Sequence, residues 1–278
     1  MHPDVIAALR CPVCRGPLAP SERALRCPAG HAFDIARQGY VSFLSGRPTG
    51  LVGDDADMVA ARERFLGAGH FATLLQALAE ESRGAAPGLV VEVGAGTAHY
   101  LAGVLEALPG RAGLAIDLSK HAARRAARAH PRVAAIVADA RAAFPLADAC
   151  AGLVLDVFAP RNGPELRRIL RDDGALLVVT PTPEHLAELR PALGLLEVDP
   201  GKARRLEEAL APHLERGAAR SLSWELRLGR ADAHALAAMG PSARHLSPDA
   251  LAERVQALPE QVRVTASVRI ERWRPRRP

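Results

Sequence analysis

The chain has 278 residues, 49% hydrophobic and 24% charged, an ordinary globular balance that excludes disordered, collagen-like and coiled-coil architectures. At about 150 residues per domain the length fits one large unit with a smaller one. There is no run of 18 apolar residues, and the opening MHPDVIAALR carries no apolar leader, so a cytoplasmic protein without a membrane span is expected.

The net charge of +5 arises from 36 basic and 31 acidic residues, and only Lys120 and Lys202 are lysines. Guanidinium groups grip phosphate bidentately and stack on bases, which suits nucleic acid. A GC-rich genome produces the same arginine bias, so charge alone assigns no partner.

Cysteine crowds the amino terminus. Cys11-Pro-Val-Cys14 is followed by Cys27-Pro-Ala-Gly-His31, a C-x2-C-x12-C-x3-H pattern. Ligand pairs on tight turns, here with Gly16, Pro17, Pro28 and Gly30, converge on one tetrahedral zinc. A redox CxxC needs a thioredoxin-like strand and helix, and a disulfide is unusual in a reducing cytosol. Four protein ligands leave no open position, so zinc there is structural, and about 35 residues need it to fold. The stretch Ala32 to Leu44 alternates and is expected to complete the zinc ribbon as a strand. Cys150 stands in an apolar context as a small core residue.

Ser45 to Asp57, with its Gly, Pro and aspartates, reads as a linker. Met58 to Ala79 has helical spacing broken near Gly67-Ala68-Gly69-His70, which predicts two helices. Leu89 to Val93 is a β-branched run leading into Gly94-Ala95-Gly96-Thr97-Ala98 and a helix over Tyr100 to Leu108. Strand, glycine loop and helix form a site where backbone can approach a bound cofactor. Further strands each end in a carboxylate: Asp117 after Leu114, Asp139 after Val133 to Val137, and Asp156 after Leu153. With helices between them, such as the basic Ala122 to Ala129, this alternation predicts a parallel sheet with ligand at its carboxyl edge.

The first such unit is shared by dinucleotide and S-adenosylmethionine enzymes. The form Glu92-Val93-Gly94-Ala95-Gly96 favours the methyl donor, because a carboxylate there suits a cationic methionine end and repels pyrophosphate. Asp117 is positioned to accept both ribose hydroxyls, and Asp139 to approach the adenine amine. Beyond Glu165 to Leu170, read as a helix, Ala175 to Thr180 is a buried fifth strand, and Ser221 to Leu228 and Val262 to Trp273 supply strands six and seven as an antiparallel edge. Ala233 to Ser242 between them reads as a helix and turn.

The zinc motif, FDIARQGYVSFL, ARERFLGAGHF (61 to 71), EVGAGTAHY (92 to 100), DVFAPRN (156 to 162) and TPTPEHLAEL (180 to 189) occur in that order. Together they resemble the large-subunit (23S) ribosomal RNA guanine-N1 methyltransferases, closest to the actinobacterial macrolide (tylosin-type) resistance branch, which modifies a guanine in a domain II hairpin of the drug-binding tunnel. The resemblance implies an α/β class I (Rossmann-like) methyltransferase with a seven-stranded, mostly parallel sheet behind a small zinc-ribbon-like domain. It implies an RNA-recognition module over 1–45, a linker with helices over 46–84 and an S-adenosylmethionine-dependent domain over 85–278, acting on 23S rRNA or the large ribosomal subunit as a homodimer.

Carried onto matching positions, the metal ligands are Cys11, Cys14, Cys27 and His31. The cofactor contacts are Phe71, Gly94, Gly96, Thr97, Asp117 and His185, with His70 as a further histidine to place. Position 98, glycine in many such loops, is Ala98. The proton acceptor is unassigned, with Asp54, Asp55, Asp57 and Asp156 as acids to test and Phe158 or Trp224 as aromatics that could receive a flipped base. Two rival functions stay open: a small-molecule methyltransferase and a non-enzymatic zinc-dependent RNA-binding protein.

Overall fold

A computed structural model describes residues 1–44, 52–199 and 201–276. Positions 45–51 of the expected linker, and 277–278 at the end of the expected 85–278 unit, lie outside the described residues.

The amino-terminal unit opens with α1 (Pro3–Ala8), capped by His2, whose Nδ1 accepts from the Asp4 amide. β1 (Ala19–Ser21), β2 (Ala24–Arg26) and β3 (Ala32–Asp34) form a three-stranded antiparallel sheet. The expected strand over Ala32 to Leu44 is divided. After Asp34 the chain turns at Gly39, and β4 (Val41–Ser42) leaves the ribbon to pair in parallel with the main sheet, Val41 opposite Ile136 and Ser42 opposite Val137. The turn has a local cause: Gly39 holds φ +96°, a value that strains any side chain, and its amide donates to the Ala36 carbonyl.

The two helices expected after the linker are α2 (Ala56–Gly67) and α3 (Ala72–Ser82). The Asp55 carboxylate accepts the Asp57 and Met58 amides and so caps α2. The alternating core follows as β5 (Leu89–Val93), α4 (His99–Ala107), β6 (Gly113–Asp117), α5 (Lys120–Ala126), β7 (Val133–Val137), β8 (Ala151–Val157), α6 (Gly163–Ile169) and β9 (Leu170–Pro181). Then come α7 (Arg190–Leu193), α8 (Lys202–Leu210), β10 (Leu214–Gly229), α9 (Arg230–Ala238), α10 (Pro248–Gln256) and β11 (Gln261–Pro275).

The seven expected strands, β5 to β11, lie in one sheet. Its order is β10-β11-β9-β8-β5-β6-β7-β4, with β10 and β11 antiparallel at one edge and β4 added at the other. The closing hairpin is longer than its alternating segments implied, and β9 begins at Leu170, the last residue of the expected helix, rather than at Ala175. Among the described residues no helix is long and apolar enough to cross a membrane.

All five residues of β5 are buried, as a parallel strand covered on both faces requires. Alternate residues feed two cores. Val90, Leu153 and Leu177 pack with α2, α3, α4, α9 and α10. Val91, Ile116, Ile136 and Val154 pack on the other face with α1, α6, α8 and the ribbon, including Cys11 and Cys27. No described helix joins β7 to β8, and the ribbon fills that gap. Arg10 donates its amide to the Pro145 carbonyl at 2.8 Å, Ala147 to Ala8 at 2.8 Å, and the Arg15 guanidinium reaches the Phe144 and Leu146 carbonyls at 2.6 and 3.0 Å.

Arg168 bonds the same two carbonyls, so deleting the Arg15 donors leaves neither acceptor bare. Arg15→Met is therefore expected to lower stability by only about 1 kcal/mol, in urea unfolding, with zinc content unchanged. A loss above about 3 kcal/mol would show that Arg15 alone pins the ribbon to the core.

Candidate functional site

The four expected metal ligands converge. One donor atom from each of Cys11, Cys14, Cys27 and His31 lies within 4.8 Å of the others. Cys11 Sγ is 3.6 Å and Cys27 Sγ 3.3 Å from His31 Nδ1, and Cys14 Sγ is 3.6 Å from Cys27 Sγ. A tetrahedral zinc with ordinary Zn–S and Zn–N bonds sets its ligands about 3.6–3.8 Å apart, so this donor set fits that ion. The sulfur separation is far beyond a disulfide bond of about 2.05 Å, and all three thiols are free. Burial works against a Cys27 thiolate, but hydrogen bonds from the His31 side chain, Cys14 and the His31 and Ala29 amides outweigh it and bring the thiol down to about 6. Such a sulfur is ready to ligate a cation.

The glycine loop stands at the carboxyl edge of β5, beside the ends of β6 and β8. The Asp117 carboxylate accepts the Gly96 amide through Oδ2 and the Ser119 amide through Oδ1, both at 2.8 Å. Burial raises its pKa. Gly94, Gly96 and Ala98 all hold positive φ, at +64°, +54° and +59°. Ala98, where related loops carry glycine, thus occupies the left-handed region at a cost of about 1–2 kcal/mol. A Cβ on Gly94 would fall 2.6 Å from the Ala159 Cβ, and one on Gly96 would meet the Arg62 side chain at 3.1 Å. Gly94 is therefore demanded by the loop after β8. Thr97 is buried next to these glycines.

Glu92 departs from the expected role of facing a cationic ligand. It is buried on the α4 side, and its Oε2 accepts the Leu101 amide at 3.1 Å. An acid at this position satisfies one of the free amides in the first turn of α4. Burial pushes its pKa up to about 8.

His185 and Phe71 meet in a cluster of rings. Phe71 is buried between Phe65 at 5.3 Å, Trp224 at 5.5 Å and His185 at 6.1 Å. Trp224 is fixed by its Nε1 donating to the His70 carbonyl. His185 Nδ1 accepts the Ser267 amide at 3.1 Å, which puts the proton of the neutral ring on Nε2, and burial lowers its pKa to about 4. Phe158 completes the row. It lies 5.9 Å from the His185 ring, 38% exposed, with φ +58°. His70 stacks on Phe65 and faces Asp232 at 3.3 Å, so it braces α2 against α9.

The acids expected as proton acceptors, and Asp139 expected near the adenine amine, separate. Asp55 caps α2, and Asp57 is exposed in its first turn. Asp156 is fully buried 3.4 Å from Arg161, and burial raises its pKa to about 7 despite that guanidinium. Asp139 accepts the Arg141 amide in a turn. Asp54 is ion-paired with Arg62 and with Arg244, and its carbonyl accepts the Ser119 hydroxyl. Arg62 is the site residue that sequence reasoning passed over. It stands in the ARERFLGAGHF motif, of which only the final HF pair drew attention.

The family model for the RlmA N-terminal zinc ribbon matches residues 9–45. The 23S rRNA (guanine(748)-N(1))-methyltransferase of Streptomyces fradiae is 52% identical over 279 residues, 99% of this chain and 99% of the relative. The chain belongs to the 23S rRNA guanine-N1 methyltransferase family. A Micromonospora griseorubida member bearing that provisional name is 53% identical over 295 residues, 99% of this chain and 100% of the relative. A chain from the Haloferax volcanii complex of the Trm112 methyltransferase activator with a methyltransferase is 20% identical with a TM-score of 0.52, covering 82% of this chain and 99% of its own. That likeness shows the class I methyltransferase fold.

Two outcomes are expected for this family member. Cys14→Ser should lose most of its zinc by metal analysis and melt at lower temperature, since Cys11 and Cys27 sit in the core; full zinc content would overturn the ligand assignment. For Glu92, a pKa raised from 4.5 to about 8 means the folded state holds a proton that the unfolded state releases. Its contribution to stability is complete below pH 4.5 and is lost as the pH rises through about 8. Glu92→Gln keeps the acceptor for Leu101, so unfolding curves at rising pH should show the variant gaining on the parent most at alkaline pH. Parallel pH profiles would sink this account of Glu92.

Proposed function

We propose that this protein transfers a methyl group from S-adenosylmethionine to N1 of a guanine in 23S rRNA, with a structural zinc in its ribbon. The observation that carries the reading is identity of 52% over the full length to a 23S rRNA (guanine(748)-N(1))-methyltransferase. When bound, the cofactor supplies an electrophilic methyl on a sulfonium centre. The transfer would form the guanine N1–CH3 bond as the donor's S–CH3 bond breaks, with S-adenosylhomocysteine leaving and the N1 proton released to solvent.

The residues divide that work by position. Asp117 accepts ribose hydroxyls with lone pairs left over from its two amide bonds, while Gly96 and Thr97 present backbone at the loop. Phe71 supports the neutral His185 from behind, and Nε2–H of His185 offers a hydrogen bond to the bound reactants. Phe158 receives the guanine: its left-handed backbone and exposure stabilise nothing in the free protein, and a flipped base needs an aromatic face. Cys11, Cys14, Cys27 and His31 hold the zinc. Catalysis is then chiefly positioning.

The reading extends to an RNA-recognition unit over 1–45, a connector over 46–84 and a methyltransferase unit over 85–278. The protein acts in the cytoplasm as a homodimer on a domain II hairpin of 23S rRNA or the large subunit, where the added methyl would obstruct macrolides.

The test is labelled methyl transfer to unmodified 23S rRNA, with the product nucleoside mapped by mass spectrometry. A single N1-methylguanine in domain II is expected, and Phe158→Ala should lower kcat/KM by about tenfold or more with cofactor affinity unchanged. Cofactor binding without RNA methylation would turn the assignment to a small-molecule substrate. RNA binding without cofactor binding would mark a non-enzymatic protein.

A further inference from the structure

Arg62 is half-buried, projecting from α2 against the glycine loop. A Cβ on Gly96 would lie 3.1 Å from its Cδ and 3.2 Å from its Nη1, so the guanidinium and its stem rest directly on the bare Cα. Gly96 is the residue whose amide bonds Asp117, which puts Arg62 and the strand-end acid on the same turn of chain.

Two of its five N–H groups have partners. Nη1 donates to Asp54, and Nη2 donates to the Met239 carbonyl at 2.8 Å. Among the described residues the other three donors make no hydrogen bond. Charge is also out of balance at this point: Asp54 is shared between Arg62 and Arg244, the latter at 3.1 Å, so two guanidiniums face one carboxylate. Asp117 is the other acid nearby, and its oxygens are engaged by the Gly96 and Ser119 amides. Glu92, the acid expected to face an ammonium group at the loop, is turned under α4 onto Leu101. The charged side chain against the loop is therefore cationic, with donors to spare in a fork that matches a carboxylate.

We propose that Arg62 is the specificity residue for the α-carboxylate of the methyl donor, trading its contact with Asp54 for the ligand while Arg244 retains Asp54. The assignment rests on the methyl-donor reading above. It makes Asp54 a placeholder that keeps Arg62 aligned on the loop when the ligand is away, and it removes Asp54 from the candidates for proton acceptor. Asp54 is suited to that place because its own carbonyl is tied to Ser119 and Gly53 packs on the Ser119 backbone, where a Cβ would come within 2.9 Å.

The test is equilibrium binding, by calorimetry on the full chain, of S-adenosylmethionine and of decarboxylated S-adenosylmethionine, which differ only in the carboxylate. The parent protein should prefer the intact donor by about tenfold or more, the scale of a charged pair in a partly buried site. Arg62→Gln and Arg62→Ala should each abolish that preference, weakening the intact donor while leaving the decarboxylated one within about twofold. The decarboxylated ligand reports on folding in the same sample, so a misfolded variant is recognised by the loss of both and Arg62→Lys then supplies the comparison. Equal affinity of the parent for both ligands, or equal weakening of both in a folded variant, would overturn the assignment. A parent that binds neither ligand would overturn it together with the methyl-donor reading. A preserved carboxylate preference with no methyl transfer to RNA would uphold Arg62 and overturn only the RNA substrate.

Discussion

A parallel sheet has to be covered on both faces, and the elements between its own strands do not fully cover this one. Between β7 and β8 the described residues 138–150 form turns and a bridge rather than a helix, so Leu114, Ile116, Ala134 and Ile136 receive local cover only from a few side chains such as Phe144 and Leu146. The amino-terminal unit supplies it, contributing Val5, Leu9, Leu18, Leu25 and the cysteines 11 and 27 to the same cluster. Zinc ligation therefore bears on more than a small appended module. Apparent binding free energies of structural zinc, about 10–16 kcal/mol, match or exceed the whole stability of a typical domain, about 5–15 kcal/mol. A ribbon held by zinc therefore also holds the apolar cover of this face of the sheet in place.

The cofactor edge is governed by close backbone approach. The loop after β5 and the loop after β8 touch at Gly94 and Ala159 with no room for another carbon, so neither can shift without the other. Ala98 and Phe158 are both held at positive φ. Their strain, of order 1–2 kcal/mol each, persists because two buried strands in register, Val93 opposite Asp156, dictate where both loops begin. The Asp156–Arg161 pair beneath them adds a second constraint. Among the described residues neither the aspartate oxygens nor two of the guanidinium nitrogens have a close hydrogen-bond partner, so the ion pair at 3.4 Å is what offsets the charge of this buried carboxylate.

Much of this was legible in the sequence because it follows from local signals. Strand ends marked by acids, the period of the helices and the spacing of Cys11, Cys14, Cys27 and His31 all depend on neighbours within a few residues. What escaped depends on contacts distant along the chain. The alternation of Ala32 to Leu44 fits a ribbon strand as well as a sheet edge, and only the presence of β7 beside it draws Val41 and Ser42 away. Glu92 precedes a glycine loop in either orientation, but its neighbour Val91 belongs to the opposite face, and that parity turns the carboxylate under α4. Arg62 lies 34 positions before Gly96, on a helix whose apolar spacing says which side is buried and nothing about what the polar side reaches.

The short strand β4 joins these two halves of the molecule mechanically. Phe43 donates its amide to Val137 at 2.9 Å, and the Ala138 amide in turn donates to the Asp117 carbonyl at 3.0 Å. The end of the ribbon is thus two hydrogen bonds from the acid that anchors the glycine loop. A unit attached by a flexible tether samples many orientations and loses entropy each time it must place a substrate. A unit continuous with the sheet has that orientation fixed during folding. Strand register at this edge sets the distance from ribbon to glycine loop, which on the proposed RNA reading is the distance a bound RNA has to span. The backbone hydrogen bonds of β4 thereby fix the end of the ribbon relative to the loop without help from any side chain.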